Sequence, residues 1–239
     1  MKISFIVLTI GDKPEHLFKC ISSIKSNFMD SADFEIIIVG NNIPEGMPKV
    51  DVIVNDNDFI EFLGKRKNLG TEASSGEIIV HCDDDIIFPI DWYCKFKEYN
   101  NKNPDWQFLG NRVLLPDGGR YWDRSTFLPY HQMVDYDFDS SDVTFYQSGA
   151  FSVSRRSLLD RIKWSDEIPF YGMFKGFKHN EDVEFSLRLK EEGVRIYFDK
   201  NNTVWHNDFN YESDDITCNK RKSEASINKK CLGFILCEG

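Results

Sequence analysis

The run Ile78-Ile79-Val80-His81-Cys82-Asp83-Asp84-Asp85 sets an apolar, branched stretch directly before three consecutive carboxylates. Carboxylates crowded in this way repel one another and are costly unless a cation offsets them. Hard oxygen ligands suit Mg2+ or Mn2+, which bind through one or two carboxylates while substrate phosphates complete the shell. The plain alternative is a solvated acidic turn leading into the next helix. A strand end is the place where ligands collect in an open α/β sheet, which favours the metal.

Such a placement needs a sheet. Ile3–Ile10 is a continuous apolar run, the pattern of a strand buried on both faces. Pro14 is placed to open a helix with Leu17, Phe18, Ile21 and Ile24 at helical spacing. Phe34–Val39 reads as a second buried strand ending in the turn cluster Gly40-Asn41-Asn42, and Val50–Val54 as a short third. Glu61–Ala73 reads as a helix and Glu77–Cys82 as the fourth strand. Strands separated by helices predict right-handed crossovers and a Rossmann-like, mostly parallel central sheet with helices on both faces.

After residue 103 the pattern changes. Trp106–Leu115 with Pro116-Asp117-Gly118-Gly119 and Arg120-Tyr121-Trp122 predicts a hairpin. Residues 123–142 read as loop. Tyr146–Val153 reads as one strand, with Ser154 capping a helix to about residue 162. Asn180 is placed to cap a helix that stops at Gly193, and Arg195–Phe198 and Thr203–Trp205 read as short strands. The chain divides as one domain over 1–212, with halves 1–103 and 104–212, and an extension over 213–239.

Composition narrows the partners. The 239 residues carry 29 Lys and Arg against 39 Asp and Glu, a net charge of -10, and 41% are hydrophobic. That is enough apolar content for a sizeable core. The acidity disfavours nucleic acid, which needs a broad basic face. Six cysteines, Cys20, Cys82, Cys94, Cys218, Cys231 and Cys237, show no paired spacing and read as scattered thiols of a cytoplasmic protein. The first strand lacks a cleavage site for a signal peptide, and no apolar run is long enough to span a membrane. In the tail, Lys220-Arg221-Lys222 and Lys229-Lys230 precede a short apolar run, Cys231 to Cys237. Such a segment suits peripheral contact with an anionic membrane surface or, more plainly, docking on the domain itself.

Several of these pieces, in this order, resemble glycosyltransferase family 2. They are Lys67-Asn68-Leu69-Gly70, then Ala73-Ser74-Ser75-Gly76-Glu77, then Asp83-Asp84-Asp85. They continue with Ser148-Gly149-Ala150-Phe151, Arg155-Arg156, Glu181-Asp182 and Trp205-His206. Each piece is short, but the order and spacing together make chance agreement improbable across residues 3–206.

The resemblance implies a GT-A fold with a nucleotide-sugar-binding half and an acceptor-binding half. It implies that Asp83 faces the donor ribose and the metal, that Asp85 ligates the metal, and that Asp84 supports the turn. His206 matches a position that completes the metal shell. Asp182 would be the general base that takes the proton of an acceptor hydroxyl, with Glu181 orienting the acceptor. The alternative for both is complementing a helix N-terminus. Thr9, Gly11 and Asp12 would approach the base and ribose, and Lys67 and Arg66, beside Asn68, the diphosphate or the base; the plain alternative for Lys-Arg-Lys on a helix is a solvated face. The implied reaction is an in-line, inverting transfer from a nucleoside-diphosphate sugar to a glycan or lipid-linked acceptor, aided by Mn2+ or Mg2+.

One position departs from the family pattern. Gly40 stands where an acidic residue is expected to recognise uracil, so UDP is the default donor base while GDP and dTDP stay open. Asn41 can hydrogen-bond a base edge in its place. Phe170–Phe177, with two glycines and four aromatics, has the composition of a closing lid or, more plainly, of a surface loop pinned by aromatic packing, and Trp122 and nearby aromatics that of acceptor contacts. Two other classes remain: a sugar-nucleotide-forming nucleotidyltransferase, disfavoured by the single glycine in Thr9–Pro14, and a non-catalytic nucleotide-sugar or glycan binder.

Overall fold

Burial on both faces explains the apolar runs. The computed structural model describes residues 1–28, 33–56, 62–126, 132–138, 145–168, 173–174, 177–178 and 180–207. Within them β1 (Ile3–Thr9) is buried at every position, and β2 (Phe34–Gly40) at all but the first. Their side chains alternate between two cores. Ile3, Phe5 and Val7 join the cluster under α1 (Pro14–Ser26), whereas Ile6 and Leu8 face the opposite one.

Eight strands form the central sheet. β3 (Val52–Asn55), β2, β1 and β4 (Ile78–Asp83) run parallel, in that order. β10 (Phe151–Arg155) follows antiparallel to β4, then β6 (Phe108–Leu114) and β13 (Ile196–His206), and last the two-residue β5 (Ile86–Ile87). Only β10 and β5 run against the rest, so the expected mostly parallel α/β sheet is present. α1 and α3 (Trp92–Lys102) cover one face. α2 (Leu63–Ala73), the short α4 (Arg156–Leu159) and α5 (Glu181–Glu191) cover the other. A separate sheet joins β8 (Gln132–Met133), β7 (Arg124–Thr126) and β9 (Phe145–Gln147), and β11 (Met173–Phe174) pairs with β12 (Phe177–Lys178).

Several expectations are corrected. Tyr146–Val153 is not one strand: it breaks at Ser148-Gly149-Ala150 into β9 and β10, which belong to different sheets. Ser154 is a buried strand residue rather than a cap, and its helix is only one turn long. The hairpin at 106–122 reduces to a tight turn with a single bridge, Leu114 to Arg120. Residues 123–142, read as loop, contain β7 and β8. The last two short strands are one, β13, with an irregularity between Asp199 and Thr203. α3 was not anticipated; its inward stripe is only Trp92 and Phe96, stacked at 5.5 Å. Among the described residues no helix is long and apolar enough to cross a membrane. Cys20 and Cys82 are buried free thiols and Cys94 an exposed one; the other three, with the whole 213–239 tail, lie outside the described residues.

Candidate active site

The carboxyl ends of β1, β2 and β4 lie side by side, with Leu8 opposite Asp83 and Thr9 opposite Gly40. β4 therefore delivers Asp83, and the turn after it carries Asp84 and Asp85 into β5. Pairing of β5 with β13 sets His206 opposite Ile86, and the Asn207 N–H donates to the Asp85 carbonyl at 2.8 Å. This topology joins residues from the two halves of the chain. Asp83, Asp85 and His206 each offer a ligand atom, all within 4.8 Å of one another. His206 Nδ1 stands 3.5 Å from Asp85 Oδ2.

The electrostatics of this corner fit a cation. Burial pushes the Asp83 carboxyl up to about 7; Lys67 opposes the shift, and Asp84 and Glu181 add to it. Burial also raises Asp84, although the Thr9 hydroxyl donates to it. The two carboxylates are the hard oxygen donors that Mn2+ or Mg2+ takes, and the imidazole adds a softer nitrogen donor beside them. By contrast, His81 within the same run is fully buried. Burial, then the charge of Lys67, pushes it down to about 3, and its Nε2 lies 3.1 Å from Thr71 Oγ1.

Around the corner, Thr9 Oγ1 also accepts from the Gly11 N–H at 3.0 Å. Gly11 has φ +73, and a Cβ there would come within 2.7 Å of the Asn41 carbonyl. Only glycine lets the Thr9–Asp12 turn lie against the Asn41-Asn42 turn. Asp12 is exposed and Asn41 partly buried at this rim. At Gly40, the departure from the family pattern has a steric reason: a Cβ would overlap the Thr9 carbonyl and lie 3.0 Å from Arg66 Nη2. Arg66 is buried there, donating to the carbonyls of Thr9 and Val39 and pairing with Asp56 at 2.9 Å.

The second wall comes from α5. Lys67 Nζ pairs with Glu181 Oε1 at 2.8 Å, both side chains being at most 3% exposed, and sits 4.0 Å above the Trp164 ring. Asp182 lies alongside: its Oδ2 accepts from the Gly149 N–H at 2.9 Å and its Oδ1 from its neighbour's, Val183, at 2.7 Å. Burial, then Glu181, pushes its carboxyl up to about 7, against Lys67 and the two N–H donors. Gly149 makes this approach feasible, since a Cβ would stand 2.7 Å from Glu181 Oε1. The strand break that separates β9 from β10 is thus what presents a backbone donor to Asp182. Asn180 begins α5 in extended conformation without a side-chain cap bond.

Other motif residues act inside the fold. Asn68 donates to the Trp164 carbonyl at 2.9 Å and to Asp166 at 2.7 Å, and accepts from the Trp164 N–H at 3.1 Å. Arg156 binds the carbonyls of Gly76 at 2.6 Å and Thr71 at 3.2 Å, closing the end of α2. No motif marks Trp164, which stacks on Phe185 at 3.9 Å, or the pairing of Tyr121 with His206, whose rings lie 4.2 Å apart. Side chains of the expected lid segment, and Phe170 to Gly172, Lys175 and Gly176 entirely, lie outside the described residues.

Comparison with known proteins places this geometry. The family model described as Glycosyl transferase family 2 matches residues 4–163. A curated relative from Haloferax volcanii, glucosyl-dolichyl phosphate glucuronosyltransferase, is 25% identical over 126 residues, covering 49% of this chain and 39% of that protein. Among solved structures, S. aureus TarS 1-349 in complex with UDP-GlcNAc aligns with a TM-score of 0.64 at 16% identity, over 89% of this chain and 60% of that one. The same protein in complex with UDP gives 0.63 at 16%, over 87% and 61%. At these identities the structures establish a shared GT-A glycosyltransferase architecture. The chain spans about two fifths of the length of the curated relative and about three fifths of that of the two solved structures. With the family model matched over most of its length, this chain belongs to glycosyltransferase family 2.

Proposed function

We propose that the chain transfers a sugar from a UDP-sugar to a hydroxyl of a glycan or lipid-linked acceptor, with inversion and with the help of a divalent ion. The observation that carries this reading is the meeting of Asp83, Asp85 and His206 at one sheet edge, where the Asp83 N–H donates to the Ala150 carbonyl next to the Gly149 that holds Asp182. The UDP and UDP-GlcNAc complexes of a protein with the same fold support a uridine donor.

Asp83, Asp85 and His206 would hold Mn2+ or Mg2+, whose charge, when bound, would offset that of the departing diphosphate. The remaining chemistry belongs to the chain. The acceptor oxygen attacks the anomeric carbon while the bond from that carbon to the diphosphate oxygen breaks, its electron pair leaving with UDP. Asp182 takes the hydroxyl proton as the new C–O bond forms. A carboxyl held near 7 is a stronger base than an ordinary one, and the Gly149 and Val183 N–H groups keep it aimed. Glu181, fixed by Lys67, borders the acceptor side. Thr9, Gly11, Asp12 and Asn41 line the rim where base and ribose would lie, with Asp84 tied to Thr9 beneath it. A cytoplasmic location, with the basic tail near an anionic membrane surface, suits a lipid-linked acceptor.

Donor turnover with UDP-, GDP- and dTDP-sugars, and NMR of the product's anomeric configuration, test this directly. UDP-dependent transfer with inversion is expected, abolished in Asp182→Asn and Asp85→Asn. Near-normal transfer by both variants, or retention at the anomeric carbon, overturns it.

A further inference from the structure

We infer that Tyr121 is a positioning residue for the His206 imidazole, presetting the nitrogen donor of the Asp83/Asp85/His206 cluster. The inference rests on the metal reading proposed above and adds to it a residue from the turn after β6. The two rings are stacked, 4.2 Å between centroids and 20° apart in plane. A stacked face fixes the plane of an imidazole, so its two nitrogens can point only within that plane. Here that plane carries Nδ1 toward Asp85, 3.5 Å away, and the ring is buried at 4% exposure.

The platform itself is rigid. The Tyr121 N–H donates to the Val113 carbonyl at 2.9 Å, and its own carbonyl accepts from the Asp123 N–H at 2.8 Å. Asp123 is fully buried and is the hub of the turn. It pairs with Arg120 at 2.6 Å and accepts from the Val113 N–H at 3.1 Å and the Tyr136 hydroxyl at 2.7 Å. Arg120 in turn donates to the Val134 carbonyl at 2.9 Å. The turn after β6 thereby sets the orientation of a ligand at the end of β13. Groups that orient a metal-binding histidine commonly change metal affinity ten- to a hundredfold when removed.

The test is titration of the full chain with Mn2+ alone, followed by the EPR signal of free Mn2+. Tyr121→Phe keeps the stacked face and should bind within about twofold of wild type. Tyr121→Leu keeps bulk without the face and should bind roughly tenfold more weakly; Tyr121→Met makes the same comparison if Leu fails to give a cooperative thermal melt. In a His206→Ala background, Tyr121→Leu should add no further loss, because the ring it orients is gone. Wild-type affinity in the folded Leu or Met variant, or losses that multiply in the double variant, would overturn the inference. Wild-type Mn2+ affinity in both His206→Ala and Asp85→Asn would instead overturn the metal reading beneath it.

Discussion

Replacing Asp182 by Asn should stop transfer and stabilise the fold. The Asp182 carboxyl sits at about 7 against an ordinary 3.8, so its anion is disfavoured in the native state relative to the unfolded chain. The sign follows from linkage: a raised carboxyl costs nothing below the unfolded value, costs progressively more as pH rises to about 7, and a constant amount above. About three pH units at 1.36 kcal/mol each set a ceiling of about 4 kcal/mol. An asparagine carbonyl can accept from only one of the Gly149 and Val183 N–H groups, which takes back roughly 1–3 kcal/mol. The net expectation at pH 8 is a gain of about 1–3 kcal/mol, or roughly 2–10 °C in Tm for a chain of this size. Near pH 5 the gain should fall to about zero: the linkage cost is then down to about 1–2 kcal/mol, because only the unfolded carboxyl is still ionised, and the lost hydrogen bond offsets what remains. The groups facing Asp182, namely Glu181, Lys67 and Tyr146, are unchanged in the comparison. Turnover should fall by about 10²–10⁴, the usual worth of a general base. Thermal melts of both proteins between pH 5 and 8, beside a donor-turnover assay, read both effects. A variant less stable at every pH, or a Tm difference that ignores pH, would refute the strained-anion reasoning.

Three further outcomes follow from the same geometry. Lys67→Met leaves Glu181 charged and buried without its partner and should cost about 3–5 kcal/mol in chemical denaturation, with much of it regained in the Lys67→Met/Glu181→Gln double variant. Gly149→Ala puts a Cβ 2.7 Å from a Glu181 oxygen that Lys67 holds in place, so it should destabilise by about 1–3 kcal/mol and lower kcat with little change in donor KM. At the opposite end of the sheet, burial would raise Glu35, but Lys2, Ser4 and Ser75 hold it down at about 2. Glu35→Gln should therefore cost roughly 1–2 kcal/mol at pH 7, and the difference should fade as pH drops below 4.5 toward 2, followed by urea midpoints.

The first half of the chain was legible because its strands are buried on both faces. Such strands write apolar runs, and the turns between them write glycine, proline and asparagine at positions with steric reasons, as at Gly11. The acidic run was visible for the same reason: it begins where β4 stops being buried. The second half was harder to read because its logic is long-range. Nothing local in Tyr146–Val153 reveals that the strand changes sheets at Gly149, since which sheet a residue joins depends on partners elsewhere. Arg155 and Arg156 were noticed only through the family pattern; Arg156 ends α2, and Arg155 lies 4.6 Å from the Trp106 ring centroid. Tyr121 and His206 meet only because β6 and β13 are neighbours, a pairing that no periodicity in either segment encodes. α3 presents two buried aromatics among polar residues, too thin a stripe to stand out.

As proposed, Asp83, Asp85 and His206 turn an acidic sheet edge into a seat for a nucleoside diphosphate by way of a divalent ion. Calorimetry of UDP binding to the full chain, with saturating Mn2+ and then with excess chelator, tests that role of the ion. Clear binding is expected with Mn2+, with a loss of at least about tenfold in affinity on chelation and a similar loss in Asp85→Asn with Mn2+ present. UDP binding of equal strength with and without the ion would contradict it.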